Sequence, residues 1–349
     1  MRRVIGTGFA ALLTAIGLGV AAPAGASLDA GAHCDRVASP RGSDAKGTGT
    51  VRRPYLTANK LVASLSPGQT GCLRRGVYRS PARVTIRRQG VTLRSYPAER
   101  AALRGRLWIL GDGAIVRGLN LDGSCPRPRR CDTPAATPSP LVNARNVVIT
   151  GNDIQNRHTG ICLSASSYRG ISPDLLAIEG NRIHDCGRLP AKNHDHGIYL
   201  TAGLGAVIAD NVVYDNADRG IQLYPSVLGA RIYANTVDGN GEGVIVSNAS
   251  SVNQFDSNII SDSAVRWNVD WNSLTGFANA ITDNCLYATN RNAFYNRDGG
   301  VQTQDRQSVV LLNNRVANPG YANRARRDFR IAPWSPCAGR GAPDQVARP

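Results

Sequence analysis

The chain has 349 residues, 41 lysines and arginines against 25 acidic residues, and a formal net charge of +16 at pH 7. This excess of positive charge indicates an anionic partner, unless the arginines serve only solubility. Aromatic residues make up 6% of the chain, and no basic segment with interleaved aromatics occurs, which argues against nucleic acid. Acidic polysaccharides and anionic cell-envelope polymers are the partners that remain.

The N-terminus has the pattern of a secretory signal. Arg2 and Arg3 precede an uncharged run over residues 4–22, and small residues follow up to Ala26, so residues 1–26 are predicted to be a signal peptide. We therefore expect a secreted, extracellular mature protein. The alternative is that the apolar run is retained as an anchor. No later stretch resembles a membrane span.

The rest of the chain falls into segments that differ in composition and periodicity. Residues 27–49 are rich in Gly, Ser, Ala and Asp without periodicity and are predicted to form a flexible N-terminus. Residues 56–65 read as a short helix, which could cap the first coil of a repeat structure. A single solenoid is expected over residues 50–340, with a C-terminal tail at 341–349. Five prolines exclude regular strand from residues 122–140.

Two repeated motifs predict the fold. Asn, any residue, then Val, Ile or Leu recurs at intervals of 23 to 30 residues, and Gly-Ile-x-Leu or Gly-Val-Ile-Val follows in four of the units. The asparagines are Asn152, Asn181, Asn211, Asn235, Asn258, Asn284 and Asn314, and the glycines are Gly160, Gly197, Gly220 and Gly243. Two short strands per unit, with no room for a crossover helix, favour a parallel β-helix over a propeller, whose blades need about 40 residues.

The asparagine column has two interpretations. The side-chain amides of successive coils could form a hydrogen-bonded ladder, as in cross-β structures. Alternatively, asparagine tolerates a left-handed turn conformation. Both interpretations place the column at a corner of the coil. Near the C-terminus, Phe329 and Trp334 are predicted to plug the open end of the stack.

Eight cysteines lie after the predicted signal, and an even number in an oxidising compartment favours disulfides. No Cys-x-x-Cys pair occurs, which argues against a zinc site of that type. Sequence does not establish connectivity, but the candidate pairs are Cys125 with Cys131, Cys162 with Cys186, Cys34 with Cys72, and Cys285 with Cys337.

The chain resembles secreted right-handed parallel β-helix proteins with the pectate-lyase-like fold over roughly residues 50–340. Besides the two columns, the resemblance depends on Ser66–Tyr78, Val116–Gly123 and Asp328–Pro336. It implies an all-β fold, a single right-handed parallel β-helix solenoid with a short N-terminal capping helix. Lyases, epimerases, glycosidases and phage tailspikes share this fold, so the activity has to be argued from the site.

Alignment of the glycine motifs predicts which side chains point outward. The first outward row is Cys162, Tyr199, Gln222 and Ile245, and the second is Ser164, Thr201, Tyr224 and Ser247. Neighbouring parallel strands lie about 4.8 Å apart, so the tyrosines and polar residues of the two central coils form one strip. Such a strip suits the binding of sugar rings.

One coil has an insertion beside this strip. Asn181 and Gly197 are 16 residues apart, where the spacing elsewhere is 8 or 9, and the extra residues include Lys192-Asn-His-Asp-His196. Asp218, Arg219 and Glu242 precede the next two strands. This charged cluster is the best active-site candidate in the sequence.

An acidic polysaccharide gives the cluster a mechanism. Arg219 or Lys192 would neutralise the sugar carboxylate, His194 or His196 would remove the adjacent proton, and Tyr199 would return it. The predicted activity is a lyase or C5-epimerase. The expected substrate-binding residues are Asp195, Thr201, Asp218, Gln222, Tyr224 and Glu242.

The segment before Gly197 is also similar to a motif of mannuronan C5-epimerases, Asp-Pro-His-Asp-Arg-Ser-His-Gly. The final His-Gly agrees, but Pro190, Ala191 and Lys192 stand where the motif has Asp-Pro-His. Lysine bases occur in several β-helix lyases, which makes Lys192 a further candidate base.

Purely structural roles, or a different reaction, remain open for the same residues. Asp195 and Asp218 could only stabilise turns, His196 could bond a carbonyl, and His184 is better explained as structural. A hydrolase would need paired carboxylates, and only Asp195, Asp218, Glu242 and Asp270 are available.

The protein could also be a non-catalytic solenoid that binds carbohydrate or cell envelope. No cofactor is certain. Calcium is left open because Asp195, Asp215 and Asp218 could supply oxygen ligands. The histidines lack a zinc-binding spacing.

Overall fold

The computed structural model describes residues 33–124, 137–271, 276–303 and 309–347. The predicted signal peptide and the Cys125–Cys131 pair lie outside these residues. Among the described residues, no helix is long and apolar enough to cross a membrane.

Three parallel sheets, A, B and C, run the length of the molecule, and successive coils add one strand to each. Sheet A contains β1 (Arg36–Ala38), β2 (Thr70–Leu73), β5 (Thr92–Ser95), β8 (Ile115–Arg117), β11 (Val148–Thr150), β14 (Ala177–Glu179), β17 (Val207–Ala209), β20 (Arg231–Tyr233), β23 (Gln254–Asp256), β26 (Asn279–Thr282) and β29 (Val309–Leu312). Sheet B contains β3 (Gly76–Arg79), β6 (Ala101–Arg104), β9 (Leu119–Asp122), β12 (Asp153–Gln155), β15 (Arg182–His184), β18 (Val212–Tyr214), β21 (Thr236–Asp238), β24 (Ile259–Ser261), β27 (Cys285–Tyr287) and β30 (Arg315–Val316).

Sheet C contains β4 (Val84–Ile86), β7 (Leu107–Ile109), β10 (Leu141–Val142), β13 (Leu163–Ala165), β16 (His196–Leu204), β19 (Arg219–Leu228), β22 (Glu242–Val246), β25 (Val269–Trp271) and β28 (Val301–Thr303). The predicted all-β, right-handed parallel β-helix is confirmed. Each coil has three strands rather than the expected two, because a separate sheet A strand ends before each asparagine motif, as β17 does before Asn211.

The asparagine column forms a ladder. Each side-chain Nδ2 donates to the Oδ1 of the next asparagine, from Asn152 through Asn284 to Asn314, at 2.8–3.0 Å. The left-handed conformation belongs to the residue before the asparagine, as at Asp210 with φ of 58° and Ala234 with φ of 52°. The amide ladder is therefore the correct interpretation of the motif, since these buried amides satisfy each other along the stack.

The N-terminal end of the stack is covered by helix α1 (Ala58–Ala63). Its N-cap, Thr57, accepts a hydrogen bond from the backbone N–H of Lys60, and Leu61 and Val62 are buried. Strand β1 lies within residues 27–49, where the sequence predicts a flexible terminus. Three of the predicted disulfides are present, Cys34–Cys72, Cys162–Cys186 and Cys285–Cys337.

The C-terminal strap, residues 318–347, packs on the outer face of sheet B. It contains the antiparallel strands β31 (Tyr321–Asn323) and β32 (Asp328–Ile331), and helix α2 (Asp344–Ala347). Short 3₁₀ segments cover Arg324–Arg326 and, before the strap, Ala293–Gly299.

Arg324 is central to the strap's attachment to sheet B, because its Nε lies 2.7 Å from Asp238 and its Nη1 lies 3.2 Å from Asp262. Phe329 is buried against Tyr214, with ring centroids 5.2 Å apart, whereas Trp334 is 86% exposed. The expectation that these two aromatics plug the end of the stack is wrong, because the chain turns back along the sheet.

Candidate functional site

The two longest strands of the protein, β16 and β19, lie side by side in sheet C. Tyr199 pairs with Gln222, Gln222 with Ile245, and Ile245 with Asp270. Their strand neighbours, such as Ile198 and Leu200, are buried, so these four residues lie in one row on the outer face. Three of the four residues of the predicted first row are therefore adjacent.

Cys162 does not belong to this row. Ser164 pairs with Tyr199 instead, two residues further along the chain. Cys162 is fully buried, forms the disulfide with Cys186, and donates its backbone N–H to the carbonyl of His196 at 3.0 Å. These contacts set a register that alignment of the glycine motifs does not reveal.

The second predicted row is interrupted by a bulge. Leu200 pairs with Leu223 and Ala202 with Ser226, so Tyr224 and Pro225 both lie opposite Thr201. Tyr224 is 39% exposed and Thr201 is half-buried. The bulge re-aims Tyr224 toward solvent at the edge of the first row.

The inserted segment before β16 is held by two aspartates. Arg188 forms a bidentate pair with Asp195, with N–O distances of 2.6 and 3.0 Å. Asp218 accepts the backbone N–H groups of His194 and Asp195, both at 2.8 Å. Asp195 and Asp218 are 2% and 4% exposed. Both carboxylates are thus occupied in shaping the loop.

Lys192 and His194 lie on the exposed part of that loop. Neither side chain makes a hydrogen bond or ion pair with any described residue. Both remain available to an incoming ligand.

Asn193 connects the same loop to the neighbouring coils. Arg219 donates from Nη1 to the Asn193 carbonyl at 2.9 Å, from Nη2 to Asn193 Oδ1 at 2.7 Å, and from Nη1 to Gln222 Oε1 at 3.3 Å. Arg266 also bonds Asn193 Oδ1. Because most Arg219 donors are taken by the protein, Arg219 is not free to bind a sugar carboxylate.

Glu242 is clamped between the same two arginines. Its carboxylate oxygens lie 3.1 Å from Arg219 Nε and 2.5 Å from Arg266 Nε, and the residue is 2% exposed. Burial raises the pKa of Glu242, and the two arginines oppose that shift. Glu242 is therefore a charge that organises Arg219 and Arg266 rather than an accessible acid or base.

His196 lies beneath Tyr199. The imidazole is 2% exposed, its ring packs edge-on against Tyr199 at 4.7 Å, and Nδ1 has no hydrogen-bond partner among the described residues. Burial and the charge of Arg219 lower the pKa of His196 to about 3. The ring is therefore neutral at physiological pH and a weak base. Burial also raises the pKa of Tyr199, which keeps its hydroxyl protonated.

Asp270 stands out at the other end of the first row. It is 7% exposed, yet it makes no hydrogen bond or ion pair with any described residue. Burial, together with the negative charge of Glu242, raises the pKa of Asp270 to about 6. Buried carboxyl groups are ordinarily paired, so an unpaired one on an open sheet face is a candidate for proton transfer.

The sequence motifs do not point to Arg266 or Asn193, and they offer Asp270 only as one of four carboxylates available to a hydrolase. The coil that contains Asp270 reads Asn268-Val-Asp-Trp271 and lacks the Gly-Ile motif, so its outward position was not visible. The clamp around Glu242 joins residues from three coils, and no local spacing encodes it.

Two of the three aspartates considered as calcium ligands, Asp195 and Asp215, pair with arginines. Among the described residues, no group of three or more His, Cys, Asp or Glu side chains is arranged to hold a metal ion. Asp215, one of the three proposed calcium ligands, instead pairs with Arg327 of the strap at 2.5 Å.

The chain is similar in part to one known protein family and in fold to several solved structures. A family model described as periplasmic copper-binding protein (NosD) matches residues 140–283, less than half of the chain. Among the described residues of this segment no three ligands cluster to bind copper: Cys162 and Cys186 form a disulfide, His184 is bonded to two aspartates, and the remaining histidines join no such group. No curated protein sequence matches the chain.

Solved structures share the architecture. The pectate lyase Pel9A has 14% identity and a TM-score of 0.63, covering 82% of this chain and 78% of its own. A rhamnogalacturonan lyase has 13% identity and a TM-score of 0.52, with coverages of 88% and 94%. The periplasmic alginate epimerase AlgG has 16% identity and a TM-score of 0.40, with coverages of 78% and 57%. The chain is a right-handed parallel β-helix protein of the pectate-lyase-like fold.

Proposed function

We propose that this protein is a secreted enzyme that binds an acidic, uronate-containing polysaccharide across the outer face of sheet C. It removes the proton beside the sugar carboxylate, as a lyase or a C5-epimerase. The observation that carries this proposal is Asp270, an unpaired carboxyl group with a pKa near 6 in the same row as Tyr199 and Gln222.

Asp270 has the properties of a general base. A pKa near the working pH combines a large ionised fraction with useful proton affinity. The charge of Arg266 acts on Asp270, and the Arg266 side chain is 35% exposed, so its remaining donors can pair with the substrate carboxylate. Arg266 takes the role that the sequence suggested for Arg219, which is committed to Asn193, Gln222 and Glu242.

The chemistry follows from these two residues. Asp270 takes the proton from C5, and the paired carboxylate stabilises the electrons left behind. In elimination, those electrons form the C4=C5 double bond, the C4–O bond breaks, and the proton passes to the departing oxygen. In epimerisation, a water molecule on the opposite face instead delivers a proton to C5, and Asp270 releases its proton to solvent.

Tyr199 lies three strand spacings from Asp270, about 14 Å, which is too far for both to act on one sugar. Tyr199, Thr201, Gln222 and Tyr224 are therefore assigned to sugar binding. Asp195, Asp218 and Arg219 shape the loop and the clamp from within. Lys192 and His194 remain alternative bases on the exposed loop.

Hydrolysis fits the geometry less well. A glycosidase requires two available carboxyl groups, one on each side of the bond. Beside Asp270, the nearby Glu242 is 2% exposed and held between two arginines. A single carboxyl group without an ion-pair partner, next to a guanidinium, suits abstraction of a proton from carbon.

Other features agree with this proposal. The net charge of +16 favours a polyanion, and the three disulfides suit an oxidising, extracytoplasmic compartment. Two of the similar structures are lyases of pectate and rhamnogalacturonan.

The test is incubation of the mature protein with a panel of uronate polymers. Ultraviolet absorbance of unsaturated sugars reports elimination, and deuterium incorporation at C5 by NMR reports epimerisation. A polymer that binds without either product would favour the alternative of a non-catalytic binding solenoid. New reducing ends without unsaturation would instead indicate hydrolysis.

A further inference from the structure

A second group of aromatic residues lies on the outer face of sheet C, toward the N-terminal end. Trp108 on β7 pairs with Leu141, Leu141 with Ser164, and Ser164 with Tyr199. Trp108 is flanked by the buried Leu107 and Ile109, so its indole points outward in the same row as Tyr199. Three strand spacings, about 14 Å, separate the two aromatics.

The Trp108 side chain is held in place. Its Nε1 donates to Asn143 Oδ1 at 2.6 Å, and Asn143 Nδ2 donates to Ser166 Oγ at 2.9 Å. Tyr168 packs edge-on against the indole, with ring centroids 5.4 Å apart. These contacts fix a pair of aromatic rings on the sheet face.

An arginine guanidinium lies over each of the two rings. The guanidinium of Arg83 lies 4.2 Å from the centre of the Trp108 ring, and that of Arg169 lies 5.3 Å from the centre of the Tyr168 ring. Arg169 is exposed, and Tyr168 and Arg83 are half-buried. A guanidinium positioned over a ring has lost part of its side-chain freedom, so less entropy is lost when it binds a carboxylate.

The surface of sheet C between Trp108 and Tyr199 lies lower than these two rings. Leu141 and Ser164 occupy the intervening positions of the row, and Ser164 is 4% exposed. Ser164 is short and Leu141 is half-buried, and the larger rings of Trp108 and Tyr199 flank them, so a shallow trough crosses the strands. A polymer lying along this trough would reach both groups.

We propose that Trp108, Tyr168, Arg83 and Arg169 form a distal subsite that binds a carboxylate-bearing sugar of the same polysaccharide. This inference rests on the proposed binding of an acidic polysaccharide to sheet C. The rings contact the sugar face, Arg83 holds the indole, and the exposed Arg169 pairs with the sugar carboxylate. The row from Trp108 to Asp270 spans six strand spacings, about 29 Å, so only a long oligosaccharide engages the distal subsite and Asp270 together.

The experiment compares Arg169→Glu with a matched control. Arg231 and Tyr233 form a similar pair on sheet A, with the guanidinium 5.3 Å from the ring centre, and Arg231 is exposed like Arg169. Arg231→Glu therefore makes the same change in charge and removes the same kind of contact on another face. The probes are the disaccharide and the octasaccharide of oligogalacturonate and of oligomannuronate, with affinities measured by calorimetry.

Arg169→Glu is expected to weaken octasaccharide binding about 5- to 20-fold relative to Arg231→Glu, and to leave disaccharide binding unchanged. Tyr168→Ala against Tyr233→Ala gives a second comparison without a charge reversal. Circular dichroism and thermal melting confirm that each variant is folded.

Equal octasaccharide affinities for the Arg169 and Arg231 variants would overturn the distal subsite and leave the proposed function standing. If the wild-type protein binds neither octasaccharide, acidic-polysaccharide binding itself fails, and the subsite fails with it.

Discussion

Two histidines of the same coil, on β15 and β16, occupy opposite environments. On sheet B, His184 Nδ1 lies 2.8 Å from Asp185, its Nε2 lies 3.3 Å from Asp153, and its ring stacks on Tyr214 at 4.8 Å. The two aspartates outweigh burial and raise the pKa of His184 to about 9. On sheet C, His196 is more deeply buried and has no hydrogen-bonded carboxylate, and its pKa falls to about 3.

The difference extends to the whole of the two faces. The C-terminal strap covers sheet B and pairs with its acids through Arg324 and Arg327. Sheet C has no comparable cover among the described residues and holds the unpaired Asp270. One solenoid thus uses its polar residues on one face for stability and leaves those on another incompletely satisfied, as functional sites often do.

The largest expected effect is a loss of catalytic turnover, from a substitution on the outer face of sheet C. Asp270→Asn preserves shape but removes the base, and general-base catalysis contributes about 10²- to 10⁴-fold, so turnover should fall by that order while polymer binding persists. Asp210→Asn is the matched control, because burial also raises the pKa of Asp210, at the turn after β17 on sheet A. Steady-state rates and binding isotherms check this. Full activity of Asp270→Asn would return the role of base to Lys192 or His194.

On the face covered by the strap, the charge of His184 should make the stability of the protein depend on pH. The pKa of His184 is about 9 in the folded protein against an ordinary 6.5, so its contribution is fully present below pH 6.5 and is lost as pH rises through 9. A shift of that size corresponds to about 3 kcal/mol. Urea unfolding at pH 6.5 and pH 9.5 should therefore show a loss that His184→Gln largely removes. An unchanged pH dependence in the variant would contradict the raised pKa.

A somewhat smaller effect is expected from loosening the strap. Asp238 is 1% exposed and depends on Arg324, so Arg324→Ala leaves a buried charge without its partner. Because the Arg324 side chain is 42% exposed, water compensates in part, and we expect a loss of about 2 kcal/mol.

The double variant Arg324→Ala/Asp238→Asn should recover part of that stability, measured by urea unfolding. Additive losses would show that the pair does not hold the strap.

The contrast between the faces also explains how far the sequence could be interpreted. The asparagine column predicted the coil because a ladder needs the same residue at the same turn, as in Asn211, Asn235 and Asn258. The glycine motif correctly placed Tyr199 beside Gln222. It could not show that Asp270 is unpaired, or that Phe329 of the strap packs on Tyr214. Both depend on contacts between coils, which residue spacing does not encode.

The smallest expected effect is on stability, from a substitution of His196 that tests the contrast between the two histidines. Replacing His196 with phenylalanine removes a buried nitrogen that has no partner and keeps a ring against Tyr199, so stability near pH 8 should change by about 1 kcal/mol or less. The pKa of His196 is about 3 when folded against an ordinary 6.5, so the wild-type protein loses stability as pH falls below 6.5 and His196→Phe should lose less. Urea unfolding at pH 8 and pH 5 measures both quantities. A large loss at pH 8 would mean that the imidazole is bonded in solution, and that the open face is more fully satisfied than its geometry indicates.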